Sequence, residues 1–166
     1  MLVSHAQPFR VAVPSRANAR GFTMVELLTV VSILVIIIGV MAPSFSEFLA
    51  AQQAKGLSYD LTGDLMLARN EALKRNTSVT ISRGGASWAQ GWSVVSVSDG
   101  ESLSTRNPAA QSVTITGAPA TITFDFNGRV SSPAATVRIT ISSQSSSRCV
   151  QLDPSGRARA VHGACA

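Results

Sequence analysis

The chain is expected to fold as an α+β protein, with one long N-terminal helix packed on an antiparallel β-domain. Three observations predict this. The stretch from Arg20 to Pro43, RGFTMVELLTVVSILVIIIGVMAP, is apolar or uncharged apart from Arg20 and Glu26. Beyond it, Leu57, Leu61, Leu65, Ala68 and Ala72 recur at spacings of three and four, with Lys55, Asp60, Asp64, Arg69 and Lys74 elsewhere, the pattern of a half-buried helix. After Asn76 the texture changes to short β-type runs separated by Gly, Ser, Pro and Asn.

Residues 1–21 hold Arg10, Arg16 and Arg20 and no acid, as a cytoplasmic leader should under the positive-inside rule. A membrane segment is expected over 22–45, where some twenty residues at about 1.5 Å each match a hydrocarbon core of roughly 30 Å. An ordinary secretory signal would end at a small-residue cleavage site. Pro43-Ser-Phe-Ser offers none, and the helical pattern runs on past it to about Asn76. Glu26 is the costly residue: a carboxylate at the bilayer centre costs roughly 2.5–3.5 kcal/mol, so such a group needs a partner. Pro43 leaves the carbonyl of Gly39 without its helical donor and is expected to bend the helix there.

Residues 46–166 then form the globular domain, including the amphipathic half of the helix. Its leucine stripe reads as core, and Asp60 and Asp64 read as solvated charges on one helix face. Strands are expected near 77–82, 92–98, 112–116, 120–126, 136–142, 149–152 and 158–161, and Asn127-Gly128 marks a tight turn. The polar stretches 99–111 and 142–147 read as loops.

Charge and cysteines single out the C-terminal quarter. The formal net charge is +5, and without residues 1–21 it falls to about +2. From Phe22 to Gly128, six basic side chains face eight acids; from Arg129 onward, five arginines face only Asp153. A basic tail on a near-neutral body points to an anionic partner. Cys149 and Cys165 flank this tail. With one histidine nearby they lack a fourth zinc ligand, and behind an export signal a disulfide is the expected state. A loop of that size stabilises by about 3 kcal/mol in the chain-entropy estimate.

The segment Gly21-Phe22 with Glu26 and Pro43 resembles a type IV prepilin signal. Within the domain, Leu67-Ala-Arg-Asn-Glu-Ala, Trp88 with Gly91-Trp92, Phe126-Asn-Gly-Arg, and Arg148-Cys149 with Gly156-Arg157 resemble the layout of the GspH/FimT family of minor pilins and pseudopilins. The resemblance implies cleavage by a prepilin peptidase after Gly21 and N-methylation of Phe22. It also implies an inner-membrane anchor with a periplasmic C-terminal domain, and assembly with other pilins or pseudopilins through the N-terminal helix. Glu26 would then pair with the cationic amine of a neighbouring subunit, a charge match made strong by low dielectric.

Catalysis finds little support. His5 lies in the leader, so His162 is the one histidine left after processing. No Ser/His/Asp arrangement, phosphate-cradling glycine loop or paired acids can be read, and no cofactor or metal is expected. The tail offers binding instead. In Gly156-Arg-Ala-Arg159, strand alternation sets Arg157 and Arg159 on one face about 7 Å apart, close to the spacing of successive phosphates along a nucleic-acid strand. Arg148 and Arg129 extend the patch, and His162 joins it at low pH. The element resembles the GRxR motif of FimT-type minor pilins, which implies binding of double-stranded DNA in natural transformation. No aromatics flank it, so contact should be sequence-independent. The alternative is a structural minor pseudopilin of a type II secretion system, in which the two arginines serve solubility or a subunit contact.

Overall fold

A computed structural model describes residues 21–166; His5, Arg10, Arg16 and Arg20, which the sequence assigns to a leader, lie outside the described residues. The chain divides into two units, Met1–Val40 and Met41–Ala166. The first is helical from Met24 onward. Helix α1 (Met24–Arg75) opens on Thr23, whose carbonyl accepts the Leu27 amide and whose hydroxyl accepts the Glu26 amide at 3.2 Å. That is an N-cap, and it sets Glu26 in the first turn, where the positive end of the helix dipole favours an acid. Thr29 and Ser32 donate to the carbonyls of Val25 and Leu28, which satisfies both hydroxyls inside an apolar stretch. Residues Met24–Met41 form a helix long and apolar enough to cross a membrane. The backbone remains helical at Pro43.

The second unit is built on the remainder of α1. The helix stops at Asn76, which takes a left-handed φ of 52°, while the Thr77 amide returns to the Ala72 carbonyl at 3.2 Å. Arg75 pairs with Glu71 one turn back and ties this end of the helix to the loop bearing Asp99 and Glu101 by ion pairs with both. Its guanidinium is the main reason the Glu71 carboxyl is held below the usual carboxylate range.

Nine strands complete the domain, all paired antiparallel. β1 (Val79–Arg83), β2 (Trp92–Ser96), β3 (Ser102–Arg106), β5 (Thr121–Phe124) and β6 (Val130–Ser132) make one sheet in the order β3-β2-β1-β5-β6. β4 (Thr114–Thr116), β7 (Val137–Ser142), β8 (Ser147–Leu152) and β9 (Ala158–His162) make the other in sequence order. Their inward residues, including Ile81, Val94, Ile122 and Phe124 from the first sheet and Ile139, Ile141, Val150 and Leu152 from the second, form a single core with Leu61, Leu65, Ala68 and Ala72 of α1. Each such Leu or Ile contributes roughly 1.5–3 kcal/mol by burial. The opposite side of α1 leaves Tyr59, Met66 and Leu73 exposed at a seven-residue spacing.

The expected strands appear with ends shifted by no more than two residues. β3 and β6 are additional, each carrying a single apolar side chain (Leu103, Val130) in a serine-rich run. A second departure concerns Asp64, expected to be a solvated helix charge. It is 3% exposed and accepts hydrogen bonds from Trp92 Nε1 (2.9 Å), Ser104 Oγ (3.1 Å) and Arg106 Nε (2.8 Å). Asp60, one turn earlier, remains exposed, with a 3.8 Å contact to Arg106. The helix places Asp64 over the sheet beside an indole that must donate its N–H inside the core, so the carboxylate is buried with its partners.

Candidate nucleic-acid interface

Two turns of identical pattern lie at the basic end of the domain. In Asp125-Phe-Asn-Gly128-Arg129, the Gly128 amide donates to the Asp125 carbonyl (2.8 Å) and the Asp125 amide to the Arg129 carbonyl (2.9 Å). In Asp153-Pro-Ser-Gly156-Arg157 the same two bonds recur at 2.8 and 3.0 Å. Gly128 and Gly156 take φ of 70° and 79°, a left-handed backbone that glycine adopts without steric cost. In both turns the arginine after the glycine is exposed.

The turns are packed against each other. The Val130 amide donates to the Pro154 carbonyl at 3.0 Å, and a Cβ on Gly156 would lie 2.1 Å from the Gly128 carbonyl oxygen. Beneath both runs the side chain of Arg69. Its Cγ lies 3.2 Å from where a Cβ of Gly128 would stand, and its Cδ and Nε lie 3.1 Å from that of Gly156. The helix stretch Leu67–Ala72, the Asn127-Gly-Arg turn and the Gly156-Arg turn are thus one packed unit. In the sequence these three motifs stand apart; the repeated Asp-x-x-Gly-Arg is the one signal that relates the two turns.

A disulfide links Cys149 and Cys165, with 5.0 Å between Cα atoms across a separation of 16 residues. Cys149 lies in β8 and Cys165 just beyond β9, so the bond fixes the chain end to the sheet that carries the arginines. Tethering of this kind lowers the entropy lost when a tail binds a ligand.

Arg157 stands at the mouth of the β8–β9 hairpin and Arg159 two residues into it, both exposed, with Ala158 and Ala160 between and beyond them half-buried. Arg159 donates through Nε (3.0 Å) and Nη2 (2.6 Å) to the Gln151 Oε1 atom of the neighbouring strand. Among the described residues, Arg129, Arg157 and Arg159 form no ion pair; the ion-paired cations are Lys74, Arg75 and Arg106. Arg148 is placed differently from the expectation that it extends the same patch. It pairs with His162 across β8–β9 and with Ile141 across β7–β8, in the face that buries Val150 and Leu152. Its Nε is buried and has no hydrogen-bond partner among the described residues. Strand alternation therefore sets Arg148 and His162 on the sheet face opposite to Arg159. Among the described residues no three His, Cys, Asp or Glu are grouped as metal ligands.

The family model of the type II transport protein GspH matches residues 59–156, and that of a prokaryotic N-terminal methylation motif matches residues 16–42. Two crystal structures of the type IV minor pilin FimU from Pseudomonas aeruginosa strain PAO1 share the fold. One aligns at 22% identity with a TM-score of 0.56, covering 72% of this chain and 92% of that one. The other aligns at 19% identity with a TM-score of 0.55, covering 64% and 91%. A search of the curated proteins by sequence gives no match.

Proposed function

The chain belongs to the GspH family of pilins and pseudopilins, and on that premise we propose that it is a minor type IV pilin that binds extracellular double-stranded DNA without sequence preference. In this reading prepilin peptidase cleaves after Gly21 and Phe22 is methylated, as the methylation motif implies. The segment from Phe22 to about residue 45 anchors the chain in the inner membrane and then in the filament, with the globular domain on the periplasmic side. The exposed Tyr59, Met66 and Leu73 of α1 suit packing against neighbouring subunits. The domain is a structural and binding element, not an enzyme.

The observation that carries the reading is the pair Arg157 and Arg159, exposed without ion pairs among the described residues, on a turn buttressed by Arg69 and a sheet tied to the chain end by Cys149–Cys165. Guanidiniums donate to phosphate oxygens in pairs and stay charged at every physiological pH. Arg129, on the abutting turn, adds a third contact. With two to four phosphate contacts the logarithm of affinity should fall against the logarithm of salt with a slope of about −2 to −4. A single copy binds weakly, so capture relies on several subunits or a second basic element.

A domain starting near Ser46 keeps every buried core residue among the described residues, the first of which is Ala50. It should retard labelled duplex DNA at low salt, and changing Arg157 and Arg159 together to glutamine should abolish the shift without altering the melting temperature. Unchanged binding by the double variant rejects this site. The second reading, a structural pseudopilin of a type II secretion system, is favoured by the family model itself. It requires no DNA shift at any salt.

Assembly gives a separate expectation. Glu26 forms no ion pair among the described residues and is exposed, free to meet the amine of a neighbouring subunit. Glu26→Ala should be cleaved and inserted normally but be depleted from sheared filaments, as read by immunoblot of filament and membrane fractions. Full incorporation would reject the pairing.

A further inference from the structure

The outer face of the four-stranded sheet holds a third cation beside the two of the Gly-Arg-Ala-Arg turn. Arg138 of β7 pairs with Gln151 of β8, and Gln151 pairs with Arg159 of β9, so the three side chains form one row on one face. Neighbouring strands lie about 4.8 Å apart, which puts Arg138 and Arg159 roughly 10 Å from each other, with Arg157 about 7 Å from Arg159 in the turn just before β9. This face is turned away from the core, because the alternate residues Val137, Ile139, Val150 and Leu152 are the buried ones. The four strands contain no acid: they read TIT, VRITIS, SRCVQL and ARAVH. Arg138 is exposed, and its side chain forms no hydrogen bond or ion pair among the described residues.

Gln151 gives the row its orientation. A guanidinium only donates, so both bonds from Arg159 fix the amide oxygen of Gln151 on that side. The amide NH2 is left as a pair of donors on the same acid-free face, with no acceptor among the described residues. Two guanidiniums flanking an outward amide are a donor array for the oxygens of a phosphodiester backbone.

We propose that DNA tracks across this sheet face, with Arg138 as a phosphate contact beside Arg157 and Arg159, and Gln151 as the positioning residue for Arg159. This rests on the DNA-binding reading. The turn motif alone holds one end of the bound backbone, and the sheet supplies the path away from it.

The test uses the full chain in detergent micelles with a labelled duplex of about 30 base pairs, titrated from about 50 to 200 mM salt. Arg138→Gln should weaken binding about tenfold at the low-salt end, make the salt slope shallower by about 0.9, and leave the melting temperature unchanged. Gln151→Ala should weaken binding severalfold, and Gln151→Glu should weaken it further by adding an anion to the face. Loss of binding in the Arg157/Arg159 double variant with an unchanged slope in Arg138→Gln overturns this proposal and leaves the DNA reading standing. No change in any of the variants overturns both.

Discussion

Changing Asp64 to alanine is expected to destabilise the globular domain by about 2–4 kcal/mol. Three donors converge on that carboxylate, and they do not count equally. Trp92 is 2% exposed, so its indole N–H would be stranded in the core and would cost about 1–3 kcal/mol. Arg106 has a side chain 42% exposed and can turn to water, so its share is screened and small. Its own pKa is pushed up by the Asp64 hydrogen bond, in keeping with a charge-assisted contact. Asp64→Asn retains one carbonyl for Trp92 but sets an NH2 against the Arg106 donors, and should fall midway. Urea unfolding of the chain from Met41, monitored by tryptophan fluorescence, reads both variants. A loss under about 0.5 kcal/mol for the alanine variant, the range of an ordinary surface substitution, would mean that the indole finds another acceptor and that Asp64 does not join helix to sheet.

That carboxylate also marks where the amino-acid sequence stops being legible. Leu61, Leu65, Ala68 and Ala72 announce the buried helix face by their spacing alone, because burial on a helix keeps a period of about 3.6. Asp64 lies beside that stripe, and nothing in its neighbours tells a solvated acid from one meeting Trp92 and Arg106, which lie 28 and 42 positions away. β3 is opaque for a related reason. Ser102-Leu-Ser-Thr-Arg106 is an edge strand with little to bury, so its pairing with β2 leaves no apolar alternation to read. The basic tail divides in the same way. Exposure of Arg159 follows from alternation within β9 and that of Arg157 from its place in the turn just before that strand, whereas the faces of Arg148 and Arg138 depend on the register of β7 with β8 and β8 with β9. Cysteine pairing is legible because the chain has two cysteines, leaving one partner choice.

Gly156→Ala should lower the melting temperature of the domain by roughly 10 °C, corresponding to about 2–4 kcal/mol. Two costs combine. A φ of 79° is a left-handed conformation that costs an L-residue about 1 kcal/mol. The larger cost is steric: the new methyl would stand 2.1 Å from a backbone oxygen, that of Gly128, which cannot yield by turning a side chain. Glycines elsewhere separate the two. Gly163, at φ 97°, has open space where its Cβ would lie, so Gly163→Ala carries the conformational cost alone. Gly128→Ala meets side-chain atoms of Leu73 at 3.0 Å and Arg69 at 3.2 Å, which can shift, and should fall between them. The expected order of destabilisation is therefore Gly156→Ala, then Gly128→Ala, then Gly163→Ala, measured as thermal melts of the chain from Met41. Parting the two turns would also move Arg157 relative to Arg129, so, on the proposed DNA-binding function, DNA affinity should fall in Gly156→Ala even below its melting temperature, while Gly163→Ala should bind as the parent does. Equal melting temperatures for the Gly156 and Gly163 variants would mean that the two turns are not in contact in solution, and the buttressed geometry assigned to the basic site would be lost with them.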